Sequence, residues 1–304
     1  MQVLLERMSA VLHKGISSDS VIKHHLKRAA WIIVGVVLFY APFALIVKMA
    51  TIIFPGASLG TVNGDVHQAC LRMPISWLAQ PQMLLRVLGN PLYLIVLVAL
   101  PVTAFLFAPV FCGWLCPAGG FTEYLSRLVP DRFKLDFRGK VDFTPIRYGF
   151  LSGLIVTPLV TSSICCSFCN FGYMQNFVSA GFGDFSSFAY WSSTGIITLV
   201  LWLFFLGIFT KGGRGWCNFL CPAGAIQGLF SRLGMNLPWV YRIRHDKQSC
   251  SSCATCENIC PPRSIERSGE SLRINPYTCN ACLDCVVNCP SNAISYKKGK
   301  SNES

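Results

Sequence analysis

Eight cysteines close to the C-terminus stand in two identical runs, Cys250-x2-Cys253-x2-Cys256-x3-Cys260-Pro261 and Cys279-x2-Cys282-x2-Cys285-x3-Cys289-Pro290. Three closely spaced thiolates can wrap three corners of a cubane, and in runs of this type the fourth cysteine ligates the other cluster. The spacing therefore predicts two [4Fe–4S] clusters, one on Cys250, Cys253, Cys256 and Cys289, the other on Cys279, Cys282, Cys285 and Cys260. A zinc ribbon would need two isolated Cys-x2-Cys pairs rather than eight cysteines ending in Cys-Pro.

A second cysteine pattern is an internal repeat. Phe111–Leu128 reads FCGWLCPAGGFTEYLSRL and Trp216–Leu233 reads WCNFLCPAGAIQGLFSRL. Cys112, Cys116, Pro117 and Arg127 superpose on Cys217, Cys221, Pro222 and Arg232. Residues i and i+4 share a face if the turn is helical, and Pro117 and Pro222 suit helix starts just after the second cysteine. Four thiolates converging on a further cluster is the leading expectation, beside a reversible dithiol and redox-inert packing.

The last four cysteines are Cys70, Cys165, Cys166 and Cys169. They suit a second additional cluster, a disulfide through Cys70, or free thiols. Asp65 and His67 precede Cys70 and are candidates for accepting protons from a quinol, with loop capping as the plainer role. His13, His24, His25 and His245 read as solvated or interfacial, and the absence of Cys-x2-Cys-His argues against covalent haem. Trp202, Phe204 and Phe205 read as packing or lipid-facing, with an aromatic quinone pocket as the alternative. No nucleophile–base arrangement, phosphate-binding loop or dinucleotide fingerprint is present.

The elements that must position these residues are apolar. The 304 residues are 52% hydrophobic and 13% charged, against about 25% charged in soluble domains. Mean hydropathy is +0.47. Secreted, disordered and ordinary cytosolic classes are excluded on this composition, and the net charge of +12 reads as loop charge rather than a nucleic-acid footprint. Apolar runs at Ala29–Phe54, Leu92–Phe111, Ile146–Ile164 and Trp191–Thr210 approach the ~20 residues that cross a bilayer. The expected fold is an α-helical membrane protein of four transmembrane helices, arranged as two parallel-repeat hairpins, followed by a small α+β two-cluster domain. The expected divisions are an interfacial amphipathic segment (1–28), two hairpins each carrying a Cys-x3-Cys-Pro motif (29–145 and 146–244) and the cluster domain (245–304). Of the 26 Lys and Arg residues, all but Lys48, Arg72 and Arg86 fall on one side of this arrangement. The basic side is the cytoplasmic one, so both termini are expected in the cytoplasm of a multi-pass inner-membrane protein.

From about Ala29 onward the chain resembles the NapH-type membrane ferredoxins, with MauN, NosR and CcoG as broader relatives. The resemblance rests on the two Cys-x3-Cys-Pro motifs and the C-terminal double run. It implies electron transfer between a quinone pool and partner redox subunits (ferredoxin-like, cytochrome or reductase), as part of a quinol dehydrogenase-type complex in the lipid bilayer. Two clusters are expected in the C-terminal domain, and the remaining cysteines allow one or two more at the membrane faces. The chain has no flavin-binding domain of the NosR sort before the first apolar run and no β-domain of the CcoG sort after the cysteine runs. The rival function is an assembly or metal-handling protein, for example copper-reducing, that uses the same cysteines.

Overall fold

The computed structural model describes residues 18–40, 43–54, 72–160, 169–185, 194–268 and 271–299. Asp65, His67, Cys70, Cys165 and Cys166, with His13 and most of the 1–28 segment, lie outside the described residues.

The chain is helical up to residue 233 and α+β beyond it. Helix α1 (Ser18–Phe39) carries Asp19 in its first turn, where an acid suits the helix dipole. It stops short of Ala44, whose φ of 38° lies in the left-handed region, and α2 (Leu45–Ile53) restarts behind that break. Then come α3 (Arg72–Trp77), α4 (Pro81–Gly89) and α5 (Pro91–Phe107), with the Asn90 side chain accepting from the Leu92 and Tyr93 N–H groups at the start of α5. A π-helical turn, Phe111–Leu115, leads to α6 (Pro117–Leu128). The second half runs through α7 (Phe143–Val160), α8 (Asn170–Gly181), α9 (Thr194–Leu199) with a π-helical continuation Val200–Ile208, α10 (Gly215–Phe219) and α11 (Pro222–Leu233). Both Cys-Pro steps begin a helix at the proline, where the missing N–H costs nothing.

The expectation of four transmembrane helices in two hairpins is corrected by this structure. Among the described residues no single helix is long and apolar enough to cross a membrane. Only α4 and α5 taken together reach that length and composition, and they are bent by 92°. Two of the expected spans are interrupted for a local reason. Ala29–Phe54 breaks before Ala44. Leu92–Phe111 stops at Ala108, whose φ of 60° ends a 17-residue helix of about 26 Å, short of a ~30 Å hydrocarbon core. Within Ile146–Ile164 the described helix is Phe143–Val160 and carries Arg147 in its second turn, and within Trp191–Thr210 an α-helical piece, Thr194–Leu199, continues into a π-helical one, Val200–Ile208.

The repeats pack crosswise. Helix α5, ahead of the first motif, lies against α11, which follows the second, while the π-helical segment ahead of the second motif lies against α6 behind the first. Hydrogen bonds pin the second contact: Thr122 Oγ1 donates to the Gly213 carbonyl at 2.9 Å and Ser126 Oγ to the Thr210 carbonyl at 2.9 Å. A core including Phe39, Tyr40, Tyr173, Trp202 and Trp216 fills the centre, with Cys116 and Cys221 packed on it. Trp202 is therefore a packing residue, whereas Phe204 and Phe205 are exposed.

The C-terminal module pairs β1 (Tyr241–His245) antiparallel with β4 (Ile294–Lys298), and β2 (Ile265–Ser268) with β3 (Ser271–Ile274). Short helices α12 (Thr255–Ile259) and α13 (Asp284–Val287) carry the middle of each cysteine run. Its core is small and partly made of thiols: Cys260, Ile265, Cys285 and Ile294.

Candidate functional site

In the C-terminal module the two cysteine runs are folded alike. Ser252, Ala254 and Arg263 have positive φ, and so do Ala281, Leu283 and Asn292, each 29 residues further on. None of the six is glycine, so each left-handed turn costs of order 1–3 kcal/mol and persists only where the surroundings demand it. Turns of this sort aim successive backbone N–H groups into one concavity, the arrangement found at many Fe–S sites. Cys250, Cys253, Cys256 and Cys289 line one pocket. Cys289 thus joins the first run in space. Reciprocally, Cys260 lies with the second run. Its thiol is pushed up to about 12 by burial and by the neighbouring Cys279, and Cys285 is raised by burial and by Cys282, Cys260 and Cys279.

The four thiols of the internal repeat also meet. Cys112 sits in the π-helical turn, which the Cys116 N–H closes on the Phe111 carbonyl at 2.9 Å, and Cys217 sits in α10. Cys116 and Cys221 are extended residues at the N-termini of α6 and α11. The pairs therefore do not share a helix face; each places one cysteine in a turn and the next at a helix cap. Burial raises the Cys112 thiol well above its ordinary value, and Cys116, Cys221 and Cys217 raise it further. Cys116 is pushed up to about 12, by burial first and then by Cys217. Burial and mutual repulsion outweigh the nearby Arg214 guanidinium, so the crowded thiols resist ionising, and a bound metal group would relieve that cost. Among the described residues no group of His, Cys, Asp or Glu side chains encloses a single ion-sized site. The donors are all sulfur and the sets are of four, which suits a cluster rather than one hard ion.

The two sites adjoin. Cys112 and Cys217 line a pocket together with Cys279, Thr278 and Asn280 of the C-terminal module. A side chain on Gly113 would overlap the Asn280 carbonyl, so glycine is what lets the loops touch. Trp114 Nε1 donates to the Ala281 carbonyl at 3.0 Å, and Asn218 Nδ2 to the Pro262 carbonyl at 2.8 Å.

A buried ionic network that sequence reasoning missed locks this junction. Arg28 donates to both Glu123 oxygens, at 2.9 and 3.0 Å, and to Asp284 Oδ1 at 2.9 Å. Arg127 reaches Glu123 at 2.8 Å and Asp284 at 2.7 Å, and Arg214 Nε reaches Glu123 at 2.9 Å. Burial alone would raise the Glu123 and Asp284 carboxyls, but the guanidinium groups outweigh it and hold both well below the usual carboxylate range. The expectation that His24 is solvated or interfacial is corrected, and His25 is half-buried rather than solvated. His24 is buried 3.0 Å from Asp284, and His25 packs on Tyr124 with its pKa lowered to about 4 by burial and Arg127. A usable signal was present: Glu123 is the lone acid between Asp65 and Asp131.

Of the cysteines outside these sets, Cys169 is buried at the N-cap of α8, its sulfur accepting from the Gly172 N–H at 3.4 Å. Its expected partners Cys70, Cys165 and Cys166 lie outside the described residues.

These arrangements suit a protein that holds iron–sulfur clusters. A family model described as a 4Fe-4S binding domain matches residues 90–136 and 194–244, and one described as a 4Fe-4S dicluster domain matches 242–300. The chain is similar to the ferredoxin-type proteins NapH and MauN. It is 31% identical to the ferredoxin-type protein NapH of Haemophilus influenzae over 54% of this chain and 52% of the relative. Identity to NapH of Escherichia coli is 28% over 52% and 50%. The methylamine utilization ferredoxin-type protein MauN of Methylobacillus flagellatus is 27% identical over 56% and 54%. The matches span about half the length of these relatives. No solved structure matches.

Proposed function

We propose that the chain carries electrons between a quinone pool and partner redox proteins. The residues that would hold [4Fe–4S] clusters are Cys250, Cys253, Cys256 and Cys289; Cys279, Cys282, Cys285 and Cys260; and Cys112, Cys116, Cys217 and Cys221. The observation that carries this reading is the pair of four-thiol sets cradled by equivalent left-handed turns. Clusters bound there would supply reversible one-electron transfer. The chain's own part is to gather thiols from separate turns, turn N–H groups toward sulfur, bury the repeat site and clamp it to the C-terminal module. The partner would be a ferredoxin-like, cytochrome or reductase subunit.

We place the protein in association with the cytoplasmic membrane. Exposed Trp31, Ile33, Ile52, Ile53 and Val98 on α1, α2 and α5 support an apolar contact of that kind. Asp65 and His67 remain the proposed proton acceptors for a quinol.

Iron and sulfide counting on anaerobically purified protein, with EPR before and after dithionite, tests the cluster assignment. About twelve iron atoms per chain are expected. About eight would confine the clusters to the C-terminal module, and a protein without iron would overturn the reading. Anaerobic mixing with a reduced quinol should reduce EPR-active centres that dithionite also reduces; failure with quinol alone would remove the quinone from the proposal.

A further inference from the structure

The repeat pocket has a feature that its cysteines do not explain. Gly119 and Gly224 are equivalent residues, each three positions after the second cysteine of its motif. A side chain on either would strike a guanidinium group, Arg214 at Gly119 and Arg147 at Gly224. The two arginines are not related by the repeat. The position equivalent to Arg214 in the first copy is Pro109, and Arg147 comes from α7, ahead of the second motif. Two unrelated cations therefore occupy matching places on either side of one pocket.

Both are buried, at 1% exposure for Arg214 and 5% for Arg147, and both line the cavity shared by Cys112 and Cys217. Arg214 is anchored by Glu123 and donates through Nη1 to the Cys112 carbonyl at 2.9 Å. Arg147 donates through Nη1 to the Tyr277 carbonyl, while its Nε has no hydrogen-bond partner. A buried guanidinium N–H left unsatisfied beside a cavity is costly unless something in the cavity accepts from it. Among the described residues the cavity lining contains no carboxylate, so its fixed charge is positive. The backbone adds to that charge: the Gly224 N–H donates to Cys221 Sγ at 3.5 Å at the N-terminus of α11.

We propose that Arg147 and Arg214 are a matched pair of positioning residues that set the charge of the repeat pocket, making it able to hold the anionic group on Cys112, Cys116, Cys217 and Cys221. This rests on the cluster reading above. The glycines at 119 and 224 are part of the same device, because any side chain there displaces the guanidinium. Charge and hydrogen bonding around the sulfurs are what tune a cluster's reduction potential. Removing one positive charge disfavours the added electron, so the potential should fall.

The test uses the full-length protein purified anaerobically, with Arg147→Gln, Arg147→Lys, Arg214→Gln and Arg214→Lys. Iron content and an EPR-monitored redox titration are the readouts. Each glutamine variant is expected to lose the repeat-site iron, or to keep it with an electron-transfer equilibrium constant at least tenfold less favourable, which is 59 mV for one electron. The lysine variants should keep the iron and recover most of the shift. The cluster on Cys250, Cys253, Cys256 and Cys289 serves as the folding control, since its signal should stay at parental intensity. Glutamine variants with parental iron and parental potential overturn the proposal, as do lysine variants that fail as badly as glutamine. Should the glutamine variants not fold, lysine variants that lose the repeat-site iron overturn it, because they keep the positive charge. About eight iron atoms in the parent protein itself overturn the cluster reading instead, and that outcome is read before any variant is made.

Discussion

Neutralising Glu123 is the sharpest perturbation available. Its carboxylate is fully buried and receives Arg28, Arg127 and Arg214, three cations from three separate stretches of chain. In Glu123→Gln those three guanidinium groups are left with the single carboxylate of Asp284, which pairs with only Arg28 and Arg127. Breaking a buried ion pair by removing one partner costs about 3–5 kcal/mol, because the remaining charge stays buried. Against a typical stability of about 5–15 kcal/mol this is a large share, worth about two to four orders of magnitude in the folding equilibrium. Urea unfolding of the anaerobic protein, followed by far-UV circular dichroism, should show the loss as a lower midpoint at unchanged slope. The pH dependence gives a second handle. The folded-state pKa of Glu123 is depressed, so its contribution is present above about pH 4.5 and is lost as the pH falls through and below that value. The gap between parent and variant should therefore be widest near neutrality and narrow in acid. A variant within 1 kcal/mol of the parent at pH 7 would refute the network as a structural clamp.

Three further outcomes follow from the geometry. Cys260→Ala should remove the cluster signal associated with Cys279, Cys282 and Cys285 and spare that of Cys250, Cys253 and Cys256; the opposite selectivity by EPR would refute the crossed arrangement. Gly113→Val should unseat the C-terminal module, since any side chain there overlaps the Asn280 carbonyl, and limited proteolysis should then cut faster between residues 233 and 241. Because the pKa of His25 is lowered to about 4, the folded state binds fewer protons than the unfolded one between about pH 4 and 6.5, and stability rises with pH across that window. His25→Gln should flatten the rise in a pH series of urea midpoints, and an unchanged slope would refute the assignment.

The chemistry of this chain was more legible in its sequence than its architecture. Cysteine spacing is a local property, and a run such as Cys279 to Cys289 carries its meaning wherever the chain places it. The matching of Cys112 with Cys217 likewise needed only the repeat. Apolar runs are less informative, because a core and a bilayer select similar residues. Val47 and Trp202 are fully buried in protein, while Ile52 and Val98 on neighbouring stretches are exposed. The breaks that shorten the helices depend on single backbone angles, at Ala44 and Ala108, for residues with no turn preference. The ionic network was illegible for a different reason. Arg28, Glu123, Arg214 and Asp284 are far apart in sequence, and each reads alone as an ordinary charge at the edge of an apolar run.

A four-thiol pocket and a continuous apolar helix make opposite demands on the backbone. A helix spends its N–H groups on its own carbonyls and keeps consecutive turns in line. The repeat pocket needs extended residues at Cys116 and Cys221, free N–H groups at the starts of α6 and α11, and guanidinium groups brought in from outside each motif. Those needs are met only where helices end, so the chain stops its apolar segments just ahead of each motif, at Ala108 and again before the turn around Gly212 and Gly213. The crosswise packing of α5 on α11, and of the π-helical segment on α6, then puts both ends at one seam. Glu123 can bind Arg214 from the second half and Arg28 from the N-terminal helix only because that seam is shared. The interruptions that deny the chain long straight helices are thus the same interruptions that bring its cysteines together.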